Sequence, residues 1–268
     1  MNPNAPAIAG VTKRSLSARI FFFTYGALAY AMFHGVFLYS VGFLGDFLTP
    51  TRLDGPLTVP LTTAIAVNLG LLTAFALQHS VMARPAFKRW WTQFIPQEIE
   101  RSTYVLASNL AMIAFFAWWQ PMGGTIWKVE NAVGQGVLYG LFGLGWLILL
   151  VSTFLISHFD LFGLKQIWVA FTEKPYKESG FVTPWFYKLV RHPIYVGWIV
   201  VFWATPHMTI AHLLFAVGAT GYILLAIPLE ERDLIATFGD RYRRYREQVP
   251  ALIPRFFGRK KSSDVAIG

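Results

Sequence analysis

The longest uncharged stretch of the chain runs from residue 194 to residue 229 and contains no Asp, Glu, Lys or Arg. A helix needs about 20 apolar residues to cross the hydrocarbon core of a bilayer, and charged side chains are costly there. The stretch holds His207 and His212 near its middle. We therefore predict a tight helical hairpin that dips into lipid and brings the residues flanking it to the same membrane face.

The composition of the chain also agrees with a membrane protein. Of its 268 residues, 55% are hydrophobic and only 14% are charged, which is unusual for a soluble domain of this size. We predict an all-α, polytopic membrane bundle of five to six transmembrane helices, ending in the hairpin and a cytoplasmic amphipathic tail helix. The predicted spans lie near residues 19–45, 60–82, 103–121, 135–157, 193–206 and 209–229.

The chain is interpreted as a single domain, 1–268, with three parts. Residues 1–158 form a front four-helix part, residues 159–255 a second part that contains the hairpin, and residues 256–268 a basic tail. Gly residues at spacings of two to four in the fourth predicted span favour close approach of a neighbouring helix. These residues are Gly134, Gly136, Gly140, Gly143 and Gly145.

The formal charge of +9 is distributed as in a membrane protein, because the Lys and Arg residues collect on one side of the predicted spans. By the positive-inside rule, both termini are then cytoplasmic, and we predict the bacterial cytoplasmic membrane as the location. Anionic lipid headgroups account for the basic rim, so no nucleic-acid partner and no obligate protein partner are predicted. There is no Cys, which excludes a thiolate nucleophile or disulfides, and no metal site is predicted.

Two polar motifs flank the uncharged stretch. The first reads Arg191-His192-Pro193-x-Tyr195-x-Gly197, and the second reads Glu230-Glu231-x-x-Leu234 followed by Phe238-Gly239-x-x-Tyr242-x-x-Tyr245. Together they resemble the C-terminal signature of the isoprenylcysteine carboxyl methyltransferase and phospholipid methyltransferase group. This resemblance implies an integral membrane enzyme that uses S-adenosylmethionine.

The side chains of the two motifs suit such a cofactor, which carries a carboxylate, an ammonium group, ribose hydroxyls and adenine. Arg191, His192 and the backbone amides that begin the hairpin are candidates for the carboxylate, and Glu230 and Glu231 for the ammonium or ribose. Alternatively, these two carboxylates pair with Arg191 or Arg232. Further cofactor-binding candidates are Tyr195, Gly197, Tyr242 and Arg246, the last two sharing one helix face.

One residue departs from the group's pattern. Trp185 stands where that group usually has Gly. A bulky indole there is expected to narrow the cofactor entrance or to shift the turn.

Several polar residues in the front part also lie at predicted cytoplasmic span ends. The patterns are Gln78-His79-Ser80-x-x-Ala83-Arg84, Glu100-Arg101-x-x-Tyr104 and His158-Phe159-Asp160. They resemble a bacterial branch of the same membrane methyltransferases, whose front half is similar to NnrU-type membrane proteins. That resemblance implies a small volatile thiol, methanethiol, as methyl acceptor and dimethyl sulfide as product.

A thiol must be deprotonated before it attacks an activated methyl group, and a neutral imidazole can accept its proton. The candidate bases are His79 and His158, with Asp160 orienting the latter and Tyr104 or Tyr195 fixing the geometry. The residues alone do not distinguish the two histidines. The alternatives are a methyltransferase with a lipid, prenyl carboxylate or other thiol as acceptor, and a haem-binding NnrU-like membrane isomerase with His79, His158 and His34 as ligands.

Overall fold

The computed structural model describes residues 14–177 and 180–255, and within these ranges the chain is mostly helical. The predicted basic tail, 256–268, and most of the N-terminal segment lie outside the described residues. The helices are α1 (Leu16–Gly45), α2 (Leu61–Ala83), α3 (Pro85–Trp91), α4 (Glu100–Trp118), α5 (Ala132–Ile156), α6 (His158–Leu161), α7 (Leu164–Thr172), α8 (Phe186–Leu189), α9 (Pro193–Trp203), α10 (Ile210–Phe238) and α11 (Asp240–Gln248). The strands are β1 (Thr125–Lys128) and β2 (His207–Thr209).

Four helices in the described ranges are long and apolar enough to cross a membrane, namely α1, α2, α5 and α10. The chain is therefore an integral membrane protein. The predicted span 193–206 is shorter in the structure, because α9 has only 11 residues and so rises about 16 Å. In contrast, α10 continues through the second polar motif to Phe238, and its 29 residues extend about 44 Å.

The long helices pack in the order α1, α4, α2, α10, α9 and α5, with α7 against the outer side of α1. Aromatic side chains fill the centre at the end of the bundle away from the two motifs. They are Phe43, Phe115, Phe116, Trp119 and Phe215, all buried. The ring centroids of Phe115 and Trp119 lie 4.9 Å apart in a stacked arrangement. This end of the bundle is therefore closed by packed aromatic rings.

The close contact between α5 and α9 depends on two glycines that face each other. A Cβ atom on Gly145 would lie 2.9 Å from the carbonyl oxygen of Gly197, and one on Gly197 would lie 2.8 Å from the carbonyl oxygen of Gly145. The predicted helix–helix role is thus confirmed for Gly145. It is wrong for Gly136, Gly140 and Gly143, where an added Cβ would meet no atom within 4 Å.

The hairpin between α9 and α10 is not purely helical, so the all-α prediction is wrong at this point. Strand β2 pairs antiparallel with β1, with Thr125 opposite Thr209. Pro206 cannot continue α9 as a regular helix, and the backbone groups that follow it need partners inside the bundle. Pairing with β1 supplies them.

The loop between α1 and α2 is hydrogen-bonded to the start of α10. The Asp54 carboxylate accepts a hydrogen bond from the Thr209 hydroxyl and lies 3.1 Å from Nδ1 of His212. The other imidazole nitrogen of His212 lies 3.0 Å from the carbonyl oxygen of Phe202. All three side chains are buried, so this network closes the far end of the bundle with every polar group partnered.

Candidate active site

The two polar motifs meet through a buried ion pair at the near end of the bundle. Nε of Arg191, just before α9, donates to a carboxylate oxygen of Glu231 in α10 over 2.7 Å. The same oxygen lies 3.1 Å from Nε2 of His192. The uncharged hairpin therefore brings together residues forty positions apart, as its pattern predicted.

The segment after α11 wraps back over this ion pair. The amide nitrogens of Arg191 and His192 donate to the carbonyl oxygens of Pro250 and Ala251, over 2.8 and 3.1 Å. The Arg191 guanidinium also donates to the carbonyl oxygen of Arg246 over 3.0 Å and to that of Val249. Arg191 and Glu231 thus anchor the C-terminal segment to α10, the pairing foreseen as the alternative to direct cofactor contact.

Glu230, the neighbouring carboxylate, is placed differently. One of its oxygens accepts a hydrogen bond from the Tyr195 hydroxyl over 2.9 Å, and its side chain is 41% exposed. The ring of His192 stacks on that of Tyr195, which holds the phenol toward α10. Glu230 is therefore a positioned carboxylate that retains acceptor capacity for a ligand.

The remaining cofactor candidates fall into two groups. Gly197 packs closely against α5, and its contact with a cofactor stays a prediction. Tyr242 is buried against Phe181 and Tyr245, and its hydroxyl has no partner among the described residues. Nη1 of Arg246, on the same face of α11, lies 4.0 Å from a carboxylate oxygen of Glu231.

A second polar cluster lies between α2 and α4. The Tyr104 hydroxyl is 2.9 Å from Nε2 of His79, and the Ser108 hydroxyl is 3.3 Å from Nδ1. Electrostatic interactions connect the Tyr104 hydroxyl with Glu230 and Tyr222, and that of Tyr195 with Tyr104. His79 and Tyr104 therefore belong to the same polar region as Glu230.

Two contacts that sequence reasoning missed join α2 to α10 in this region. The hydroxyls of Ser80 and Tyr222 are 3.0 Å apart, and Nη1 of Arg84 donates to Asp233 over 2.8 Å. Tyr222 precedes Glu230 by eight positions and Asp233 follows it by three, so the helical repeat places all three on one face. That spacing is the sequence signal from which these two contacts could have been predicted.

Basic residues border the cluster at the start of α4. Nζ of Lys88 lies 4.0 Å from a carboxylate oxygen of Glu100. Burial, followed by the charge of Arg101, lowers the pKa of Lys88 to about 8. Nε of Arg101 is buried and has no partner among the described residues.

His158 occupies a separate aromatic cluster, on the α1 and α5 side of the bundle. Its Nε2 is 2.7 Å from the Tyr30 hydroxyl and its Nδ1 is 2.8 Å from the Thr153 hydroxyl, while its ring stacks on Phe154. Burial, and then the charge of His34, lower the pKa of His158, which keeps the imidazole neutral at pH 7.

The orienting role of Asp160 stays a prediction, and in the structure hydroxyl groups lie beside both ring nitrogens of His158. The Asp160 carboxylate instead accepts hydrogen bonds from Gln166 and Tyr176, over 2.8 and 2.7 Å, and pairs with Lys165. Asp160 therefore holds the turn between α6 and α7.

Trp185 has a backbone conformation that explains why its position suits Gly. Its φ angle is +39°, in the region where side chains other than hydrogen are strained. The indole is 75% exposed, so it packs on little and gives the strain little compensation. The sequence predicted that Trp185 shifts this turn. The structure has a strained backbone at Trp185, immediately before α8.

Replacing Trp185 with Gly should raise the apparent melting temperature by a few degrees. Relief of positive-φ strain is worth about 1–3 kcal/mol, and the added backbone freedom of Gly offsets about 0.5–1 kcal/mol of it. Thermal unfolding in detergent measures the change. Trp185→Ala is the control, since Ala removes the indole but keeps the strain; equal stabilisation by both variants would show that the indole itself was unfavourable.

The apolar helices and the polar clusters at the near end of the bundle together define a helical integral membrane protein. Comparison with known proteins is consistent with that class. A methanethiol S-methyltransferase from Crocosphaera subtropica is 55% identical over 246 residues, 92% of this chain and 96% of that relative. One from Mycobacterium tuberculosis is 52% identical over 230 residues, 86% of this chain and 94% of the relative.

The chain belongs to the methanethiol S-methyltransferase family. Nurim from Sus scrofa is a more distant relative, 30% identical over 189 residues, 68% of this chain and 70% of nurim. No family model matches the chain, and no solved structure matches it. The membership confirms the resemblance inferred from the two motifs and the front-half patterns.

Proposed function

We propose that this chain transfers the methyl group of S-adenosylmethionine to methanethiol and releases dimethyl sulfide and S-adenosylhomocysteine. The observation that carries the proposal is the convergence of a partly exposed carboxylate, Glu230, with the His79 and Tyr104 pair on neighbouring helices. Family membership supports the substrate, since the similar bacterial proteins carry methanethiol S-methyltransferase as their name.

The polar groups present fit S-adenosylmethionine. Glu230 keeps acceptor capacity for an ammonium group or ribose hydroxyls, and the buried Tyr242 hydroxyl and Arg101 Nε lack protein partners in the described part of the chain. Tyr195 fixes the position of the Glu230 carboxylate. Arg191, His192, Glu231 and Arg246 hold the C-terminal segment over this region and support the site indirectly.

When bound, S-adenosylmethionine supplies a methyl group activated by its positively charged sulfur. The chain then has to orient the acceptor and remove its proton. His79 is the proposed base: the thiol proton passes to the Tyr104 hydroxyl, which gives its own proton to Nε2 of His79 as the sulfur becomes a thiolate, and the Ser108 hydroxyl fixes the ring at Nδ1. His158 is bonded to α1 and α5 side chains, so it is not part of this proposal.

The same placement does not support the haem alternative. His79 and His158 hydrogen-bond to different helices, and both nitrogens of each ring already lie beside hydroxyl groups. An axial haem ligand needs one nitrogen free for iron. A Soret band in purified, active protein would revive that alternative.

We further propose six membrane segments: the four longer helices, α4, and the short α9, which forms with α10 a hairpin whose polar ends both lie at the cytoplasmic face of the bacterial inner membrane. Both termini are then cytoplasmic. The excess of Lys and Arg on that side supports this orientation, and the length of α10 supports a helix that projects beyond the hydrocarbon core.

The test is headspace gas chromatography of protein in lipid nanodiscs supplied with S-adenosylmethionine and methanethiol. The parent should form dimethyl sulfide, and Glu230→Gln should lower kcat/KM roughly 10- to 100-fold, the usual effect of losing a charged hydrogen bond. Glu247→Gln removes an exposed carboxylate from α11 and is the matched control. A parent that binds S-adenosylhomocysteine but forms no dimethyl sulfide would refute methanethiol as acceptor.

A further inference from the structure

The positive charge that a methyl donor's carboxylate requires is not supplied by the residue that the motif suggests. The charge of Arg191 is paired with Glu231, and its guanidinium also donates to two carbonyl oxygens of the C-terminal segment. Nε2 of His192 is likewise bound to Glu231. An anion in the polar region would therefore need another cationic partner.

Arg101 at the start of α4 is such a cation. Its side chain is half-buried, its Nε lacks a hydrogen-bond partner, and no carboxylate lies within 4.0 Å of it among residues 14–177 and 180–255. A buried guanidinium donor left without an acceptor is unfavourable. The position is thus incomplete until an anion occupies it.

Arg101 stands beside cations that already have carboxylate partners. Arg84 and Arg101 both lie within electrostatic range of Lys88. Asp233 is paired with Arg84, and Glu100 lies 4.0 Å from Lys88. Arg101 has no such ion pair among the described residues, so it is the cation of this group that remains available to an anion.

Arg101 is also correctly placed with respect to the proposed reaction. Arg101 precedes Tyr104 by three positions on α4, so the two side chains share one face of that helix, and the Tyr104 hydroxyl lies within electrostatic range of Glu230. A ligand that carries an ammonium group and a carboxylate on one carbon can then meet Glu230 with the first and Arg101 with the second. Arg is well suited to this contact because its planar donors match a carboxylate.

We propose that Arg101, supported by Lys88, binds the carboxylate of the amino-acid group of S-adenosylmethionine. This inference rests on the proposed function and adds to it a specific anion site. Arg191, the arginine of the first polar motif, then anchors the C-terminal segment. The arginine that binds the ligand is a different residue, Arg101.

The test compares two ligands that differ in this group, with affinities measured by calorimetry in phosphatidylcholine nanodiscs. S-Adenosylhomocysteine carries the amino-acid group, whereas 5′-methylthioadenosine lacks it. Arg101→Gln should weaken binding of the first roughly 10- to 100-fold and leave binding of the second within about twofold. Arg101→Lys should restore part of the affinity, and Arg89→Gln, an exposed cation on α3, should change neither.

Three results would overturn the inference. Equal losses for both ligands would show that Arg101 acts on the fold. Unchanged affinity for S-adenosylhomocysteine would show that its carboxylate binds elsewhere. In the Arg101→Gln variant, the affinity for S-adenosylhomocysteine could be unchanged while less phosphatidylglycerol is bound to the protein by mass spectrometry. That result would show that the site holds a lipid phosphate. Failure of the parent to bind S-adenosylhomocysteine would instead refute the proposed function.

Discussion

Replacing His79 with Asn is expected to lower kcat about 10²- to 10⁴-fold, the usual contribution of a general base, while leaving the affinity for S-adenosylhomocysteine unchanged. Asn cannot accept the thiol proton at neutral pH. A thiol of the cysteine type has a pKa of roughly 8.5, so the thiolate forms without a base at higher pH. The activity deficit should therefore shrink as the pH rises above that value, and initial rates of dimethyl sulfide release between pH 7 and pH 10 measure it.

Two further histidine variants make this result interpretable. His34→Asn changes an exposed imidazole that contacts the Tyr30 carbonyl oxygen and should leave kcat unchanged. His158→Asn should lower stability, because it removes a buried partner of Tyr30 and Thr153, with kcat of the folded fraction retained. A loss of kcat in His158→Asn with ligand affinity intact, together with normal kcat in His79→Asn, would assign the base to the aromatic cluster.

Replacing Gly145 with Ala should destabilise the protein by about 1–3 kcal/mol, a fall of roughly 5–10 °C in the apparent melting temperature. The added methyl group would lie 2.9 Å from the Gly197 carbonyl oxygen and 3.0 Å from the Val201 amide nitrogen. Backbone atoms cannot rotate away, so α5 and α9 must separate. Because Tyr195 is on α9, the affinity for S-adenosylhomocysteine should fall as well.

A second glycine of α5, Gly143, provides the control for this substitution. Gly143→Ala makes the same chemical change in α5, where the new methyl group meets no atom within 4 Å. Stability should be unchanged or rise by about 0.5–1 kcal/mol, because Ala is the better helix former. Thermal unfolding of both variants in the same detergent gives the comparison, and equal destabilisation would contradict the packing role assigned to Gly145.

Much of the architecture could be predicted because the bilayer constrains it strongly. Long uncharged runs indicated the apolar helices, and the hairpin pattern placed Arg191 beside Glu231. The small strand pair escaped prediction, since β2 has only three residues and its partner β1 lies far away in the sequence. Hydropathy also gave no sign that α10 continues as a helix beyond its apolar part.

Individual contacts within the site were harder to predict from the sequence. A motif indicates that Arg191 and Glu231 belong together, but not that they bind each other and leave Glu230 available. The hydrogen bond of His158 with Tyr30 depends on how α1 packs against α6, which local spacing does not encode. In contrast, the common face of Tyr222, Glu230 and Asp233 was present in the helical repeat and could have been found.

The buried contact between Asp54 and His212 constrains the order of biosynthesis. A chain emerges from the ribosome N-terminus first, and 158 positions separate these two residues. The partners of Asp54, Thr209 and His212, are therefore absent until about four-fifths of the protein has been made. Burying the Asp54 carboxylate before then would be unfavourable. The far end of the bundle therefore closes late in membrane insertion. This contact then fixes the completed hairpin beside the first helices.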